Sequence, residues 1–223
     1  MRKWTILILI LGMLLTPGCK PAKEGEMVYT APYELGVAAG DYLPGTGIRY
    51  VGLTDNGAHL TIDGQDATKQ KGDSVGWSGK PVDNAKLDFS GRVLWYTETT
   101  CHIAGTATLT IADAAPVVVS SVPESPLRYR AVVTYRVDKG KQIPGTLIGF
   151  KGKTEKGAEL DGVEGYPYRK VGDSIVWQGK LKEGVYIIVN VRTFVYTDSF
   201  LQVAGTAEVI LVPPGAAGSG FQE

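Results

Sequence analysis

A repeat covers most of the chain and constrains its fold more than any other feature. Residues 43–111 align without a gap with residues 143–211, and about a third of the aligned positions are identical. Glycines, aromatic residues and small residues dominate the identical positions, which include Trp77 and Trp177. Because such residues set backbone conformation and packing rather than chemistry, the chain contains two copies of one fold. Each copy, taken together with the strand that precedes it, is called repeat 1 or repeat 2.

The composition and the spacing of turn signals favour β-structure. The 223 residues include 29 glycines, and short runs of β-branched and aromatic residues lie between turns. Opening strands are predicted at 28–42 and 128–137, and hairpins at the turns 55–57 and 155–157. The prediction is an all-β fold of two tandem homologous antiparallel β-sandwich domains, with small barrels as the alternative. Five to seven strands are expected in each domain.

Three strands of each repeat are expected to form a meander whose register keeps one face apolar. A three-residue loop ending at Asn84 or Gly184 would join the first two strands, and turns centred on Thr99 and Ser199 would join the last two. The resulting register pairs Trp77 with Phe89, Trp177 with Val189, Trp95 with Ile103, Arg92 with Thr106 and Ile188 with Ile210.

The same register predicts an apolar outer face on the meander of repeat 2. The side chains turned outward there would be Tyr186, Ile188, Asn190, Arg192, Phe194 and Tyr196. Ile188, Phe194 and Tyr196 are candidate binding residues, because a contiguous apolar patch is seldom left in water. Domain 1, the connector, a second copy or a separate partner would cover it. The alternative is that an extra strand at Val117 to Val119 covers it.

A loop in repeat 2 supplies the second set of candidate binding residues. The segment 166–170, Tyr-Pro-Tyr-Arg-Lys, replaces Asp-Ala-Thr-Lys-Gln at 66–70. Aromatic and basic side chains on a loop are used to stack on sugars or to hold a protein partner, which singles out Tyr166, Tyr168 and Arg169. The alternative is an ordinary loop packed on its own domain.

The amino terminus has the pattern of an export signal. Arg2 and Lys3 precede an apolar run over residues 4–15, which ends in Leu-Thr-Pro-Gly-Cys at 15–19. This ending resembles the lipobox of bacterial lipoproteins. The resemblance implies lipidation of Cys19 and a location in the cell envelope, lipid-anchored to a membrane on its extracytoplasmic side. Cleavage by an ordinary signal peptidase near Gly18 is the alternative.

These patterns together predict the organisation of the whole chain. The predicted segments are a signal peptide at 1–18, a tether at 19–27, domain 1 at 28–112, a Pro-rich connector at 113–127, domain 2 at 128–212 and a disordered tail at 213–223. Val117 to Val119 in the connector have the composition of an added edge strand.

No set of residues has the pattern of a catalytic or metal site. Asp73 and Asp173 are expected to bond the backbone of local turns, Cys101 is expected to be structural, and the two histidines are unmatched between the repeats. No catalytic residues, metal or cofactor are predicted, and the balance of 23 basic and 23 acidic residues argues against nucleic acid as a partner.

The predicted function is non-catalytic binding, adhesion or scaffolding. The membrane is the expected partner of the lipid, and a protein, a glycan or a second copy is the expected partner of domain 2. The rivals are an envelope enzyme such as a hydrolase, with its site between the domains, and a subunit of a larger surface assembly.

Overall fold

The computed structural model describes residues 25–213, and within this range the regular structure consists of β-strands. None of the described residues forms a helix of the length and apolarity needed to cross a membrane. The predicted signal peptide, the lipidation site at Cys19, residues 19–24 of the tether and residues 214–223 of the tail lie outside the described residues.

Repeat 1 folds into two open antiparallel sheets. Its large sheet has the order β1-β7-β6-β5 and its small sheet the order β2-β3-β4. The strands are β1 (Glu26–Ala38), β2 (Ile48–Thr54), β3 (Gly57–Ile62), β4 (Gln65–Lys69), β5 (Ser74–Val82), β6 (Ala85–Tyr96) and β7 (Thr100–Ala112).

Repeat 2 has the same arrangement with one added strand, so the prediction of two all-β sandwiches is confirmed. Its sheets have the orders β8-β13-β14-β15-β9 and β10-β11-β12. The strands are β8 (Val117–Val118), β9 (Leu127–Asp138), β10 (Gly149–Thr154), β11 (Gly157–Asp161), β12 (Tyr168–Arg169), β13 (Ser174–Lys182), β14 (Val185–Tyr196) and β15 (Phe200–Leu211). The predicted edge strand near Val117 is therefore present, as β8 beside β13.

The first hairpin of each meander has the predicted register over most of its length. Trp77 lies opposite Phe89 and Trp177 opposite Val189. The predicted three-residue loop is wrong, because Val82 pairs with Ala85 across a two-residue turn and a bulge absorbs the extra residue. Asn84 does not adopt a positive φ. Its side-chain amide instead donates to the Glu183 carbonyl oxygen at 2.9 Å and so joins the two repeats.

The second hairpin departs from the predicted register by one residue between its turn and Trp95, and by two residues over the rest of its length. Trp95 pairs with His102 rather than Ile103, and Arg92 lies opposite Ala104 rather than Thr106. In repeat 2, Ile188 lies opposite Glu208 rather than Ile210. Tyr96 pairs with Cys101 and Tyr196 with Leu201, so the register is already shifted by one residue at the turn, and a β-bulge at Leu94 and Phe194 adds the second residue. Apolar alternation does not reveal the shift in the part of the strand before the bulge, because a slip of two keeps every residue there on its face.

Beyond the bulge each side chain lies on the face of the strand opposite to the predicted one. Tyr196, predicted on the outer face, packs partly buried against the core opposite Leu201. Trp95, predicted in the core, is 45% exposed and stacks on His102 with ring centroids 3.7 Å apart. The inserted residue changes the parity of the side chains, so both placements from sequence are wrong.

A continuous apolar core joins the repeats. The larger buried cluster contains residues of both repeats, including Tyr29, Leu109, Tyr129 and Val209. Tyr33 stacks on Tyr129 with centroids 5.5 Å apart. A second cluster, which includes Tyr50 and Ile103, belongs to repeat 1 alone. That each repeat is a separate domain, able to fold on its own, stays a prediction.

The connector between the repeats crosses the outer face of the large sheet of repeat 2. It leaves β8 at one edge of that sheet and enters β9 at the opposite edge. The side chain of Gln178, on the outer face, donates to the Ser120 carbonyl oxygen at 3.0 Å, and Ser125 donates to that of Leu211 at 2.5 Å. Ile210, which also points outward, has 0% exposure. The connector, which is one of the covers that the sequence suggested, therefore lies over part of the outer face that was predicted to be apolar.

Candidate functional site

The two repeats differ most where a tight turn in repeat 1 becomes a longer loop in repeat 2. In repeat 1, Asp63 and Gly64 form a two-residue turn with positive φ angles of 51° and 80°, and Ile62 pairs with Gln65 across it. In repeat 2 the residues at 162–167 lie outside the strands, although the Pro167 carbonyl oxygen still accepts from the Leu160 N–H at 2.9 Å, and β12 shrinks to Tyr168–Arg169. These six residues are called the 162–167 loop. Because the repeats align without a gap, the loop is made by unpairing β-strand rather than by insertion.

The loop and β12 bring the predicted aromatic and basic residues together. Tyr166 is 62% exposed, and its ring packs edge-on against Tyr168 with centroids 5.3 Å apart. The Lys156 ammonium lies 5.4 Å from the centroid of the Tyr168 ring, within cation–π range. These side chains, with those of Arg169, Lys170, Asp173 and Ser174, line an open pocket of about 320 Å³.

The guanidinium of Arg169 fixes the loop to the neighbouring strand. Its Nε donates to the Ser174 carbonyl oxygen at 3.2 Å, and its Nη1 donates to the carbonyl oxygens of Tyr168, at 3.1 Å, and Tyr166. Among the described residues Arg169 forms no ion pair with a carboxylate. Its guanidinium is thus held in place by backbone carbonyl oxygens.

A groove lies beneath the loop, and sequence reasoning did not anticipate it. Its volume is about 580 Å³, within the usual range of small-molecule sites. We call it the Trp177 groove. Its lining residues are Val118, Val119, Ser120, Ile148, Gly162, Val163, Glu164, Arg169, Ile175, Val176, Trp177 and Gln178. The groove follows the edge of β13 at the point where β8 ends, since β8 pairs only with Gly179 and Lys180.

Of the side chains that line this groove, only that of Trp177 is buried and carries a polar atom without a hydrogen-bond partner among the described residues. It is 6% exposed, and its indole Nε1 has no hydrogen-bond partner there. The sequence correctly predicted a core position for this residue on the apolar face. The sequence did not reveal the unpaired nitrogen, because the partner of the equivalent Trp77 is known only from the fold.

The candidate residues on the outer face of repeat 2 do not form one patch. Ile188 is half-buried and lies opposite Glu208, whose carboxylate accepts two hydrogen bonds of 3.0 Å from Arg128. Phe194 is 68% exposed at the bulge, while Tyr196 turns inward. Phe194 therefore remains as an isolated exposed ring, separate from the half-buried Ile188.

The other residues considered from sequence have structural partners. Asp73 and Asp173 each accept from a backbone N–H three residues earlier, at 2.8 and 2.7 Å, which is the predicted turn role. Cys101 is fully buried, and burial raises the pKa of its thiol to about 11. No group of three His, Cys, Asp or Glu residues in the range 25–213 is placed to hold a metal ion.

The arginines at equivalent positions in the two repeats have a positioning role. Arg92 donates to the Gly72 carbonyl oxygen at 2.7 Å, and Arg192 donates to that of Gly172 at 2.9 Å. Each therefore ties the loop before its meander to the second strand, rather than forming the predicted cross-strand contact with a threonine.

Comparison with known proteins yields no relative. No family model, no curated protein and no solved structure matches this chain.

Proposed function

We propose that this chain is an exported, lipid-anchored protein of the cell envelope whose role is to bind a protein or glycan partner through repeat 2, without catalysis. The observation that carries the proposal is the 162–167 loop, which exposes Tyr166 beside the basic residues Arg169 and Lys170 in one repeat only. Exposed aromatic rings flanked by cations suit stacking on sugar rings and anchoring of protein partners.

The location in the envelope rests on the amino-terminal sequence. Lipid on Cys19 would provide the membrane contact, and the polar residues that follow would hold the domains away from the lipid surface. If Cys19 is acylated, Cys19→Ala releases the processed protein into the soluble fraction. Retention of a cleaved Cys19→Ala protein on the membrane would contradict the anchor.

The binding role is tested by exchanging one residue between the repeats. Tyr166→Asp introduces the residue found at the equivalent position of repeat 1, and we expect it to abolish retention of the purified protein on glycan arrays or on immobilised envelope extracts. Asp66→Ala at the matching site of repeat 1 is the control and should retain binding. Equal retention of the wild type and the Tyr166→Asp variant would rule out the loop as the binding surface.

A second measurement on the same two proteins distinguishes a binding partner from self-association. Size-exclusion chromatography of the wild type and the Tyr166→Asp variant shows whether the loop joins two copies. A change from dimer to monomer in the variant, without retained glycan or envelope protein, identifies the partner as a second copy of the chain.

A further inference from the structure

The two equivalent tryptophans have the same ring orientation but different partners. In both repeats the six-membered part of the indole lies over a glycine two residues further along the strand, where an added Cβ would come within 2.2 Å of Trp77 at Gly79 and within 2.1 Å of Trp177 at Gly179. The indole nitrogens therefore point to equivalent places. In repeat 1 that place is occupied by Asp63, whose Oδ1 accepts the Trp77 N–H at 2.7 Å.

Repeat 2 has lost this acceptor. Val163 stands where repeat 1 has Asp63, and the segment that carries it has left the β-ladder to become part of the 162–167 loop. The Trp177 nitrogen has less than 1 Å² of exposed surface and no partner among the described residues. Leaving a buried N–H donor unpaired is unfavourable, so an oxygen that reached this nitrogen from outside the chain would supply the hydrogen bond that the chain lacks there.

The surroundings of this nitrogen fit a ligand that has an apolar body and a hydrogen-bond acceptor. Val118, Ile148 and Val176 provide apolar walls, and the charged lining consists of Arg169, whose guanidinium donates to backbone carbonyl oxygens, and Glu164. The acceptor that repeat 1 places against its indole is itself a carboxylate. A ligand carboxylate in repeat 2 would reproduce this contact between molecules.

We propose that the Trp177 groove binds an apolar carboxylate, whose oxygen accepts the indole N–H of Trp177 in the place that Asp63 takes in repeat 1. The apolar part of the ligand packs along Val118, Ile148 and Val176. The proposal deepens the binding role of repeat 2 and rests on it, because the 162–167 loop forms the wall of the groove. The nitrogen has less than 1 Å² of exposed surface in the free protein, so the ligand reaches it by displacing a neighbouring side chain.

The test follows the indole N–H resonances of the purified protein in proton–nitrogen correlation spectra. Octanoate is the aliphatic acid probe, and the dipeptide N-acetyl-Val-Val is the peptide carboxylate probe. We expect the Trp177 indole signal, assigned by its loss in Trp177→Phe, to shift on titration with one of them. The probe with the higher affinity identifies the source of the carboxylate. The Trp77 signal should not move, because Asp63 already accepts its N–H.

Two variants at one position provide the matched comparison. Val163→Asp places a carboxylate beside the indole, which both supplies an acceptor and repels an incoming anion, and should weaken binding by at least about tenfold. Val163→Ala should leave the affinity within about twofold, because it adds neither acceptor nor charge.

Three results would overturn the proposal: no shift of the Trp177 signal at millimolar concentration of either probe, equal affinity of the wild type and Val163→Asp, or equal affinity for the probe that binds more tightly and its uncharged amide. These failures are distinct from failure of the proposed function, which is measured through Tyr166→Asp and partner retention. If Tyr166→Asp loses retention and no probe shifts the Trp177 signal, the loop is supported as the binding surface and the carboxylate site is refuted.

Discussion

Tyr29 and Tyr129 occupy equivalent positions in the two repeats, and we predict opposite effects on stability when their hydroxyl groups are removed. Both side chains lie in the core shared by the repeats and are 4% and 1% exposed. The Tyr29 hydroxyl donates to the Ala207 carbonyl oxygen of repeat 2 at 2.5 Å. The Tyr129 hydroxyl is buried against Gly45 and has no partner within the described chain.

The magnitudes follow from these environments. Tyr29→Phe removes a buried hydrogen bond between the repeats, which should lower the free energy of unfolding by about 1 kcal/mol. Tyr129→Phe removes a hydroxyl that was desolvated without compensation, and it should raise the free energy of unfolding by roughly 1 kcal/mol or more. Both substitutions keep the ring, so neither leaves a large cavity. The two variants should differ by about 2 kcal/mol or more.

Chemical denaturation of the wild type and both variants at neutral pH measures this difference. A chain of this size should show it as a separation of about 4–8 °C between the two midpoints in thermal unfolding. The slope of the free energy against denaturant should be unchanged, since both variants bury the same surface. The reasoning fails if Tyr129→Phe destabilises the protein as much as Tyr29→Phe does.

Three further predictions concern the core and the outer face. Trp177→Ala should cost roughly 3–5 kcal/mol, and Trp77→Ala less, because Trp77 is only half-buried; equal losses in denaturant unfolding would contradict this order. Ile188→Asp should cost about 1–3 kcal/mol by setting a carboxylate opposite Glu208 under the connector; unchanged stability with loss of a dimer or partner would instead identify an interface. Burial raises the pKa of Tyr33 to about 12 and the pKa of Tyr129 further, so the unfolded state loses these protons first. The contribution of these two tyrosines to stability should be constant below about pH 10 and fall above it by up to about 1.4 kcal/mol per pH unit for each tyrosine, as the difference between the wild type and Tyr129→Phe in alkaline denaturation would show.

Local residue patterns were sufficient to predict the all-β sandwich and the first hairpin of each meander. Trp77 and Trp177 mark the buried face, and alternation with a period of two defines which neighbours share it. The repeat itself determined that the two halves adopt one fold. The loop at Tyr166, Tyr168 and Arg169 was also recognisable, because its residues differ so clearly from those of repeat 1.

Tertiary structure decided what depends on contacts between distant segments. The turns and the bulges at Leu94 and Phe194 together shift the register by two residues before the bulge, which leaves the apolar pattern there intact, so the sequence does not distinguish the two registers. Beyond the bulge, Trp95 and Tyr196 each lie on the face opposite to the predicted one. The connector covers part of the outer face because β8 and β9 lie at opposite edges of one sheet. The unpaired nitrogen of Trp177 is recognised by comparison with Trp77, whose N–H donates to Asp63, 14 positions away in the sequence. Only folding brings such residues together, and the loss of one partner has meaning only after the pair is known.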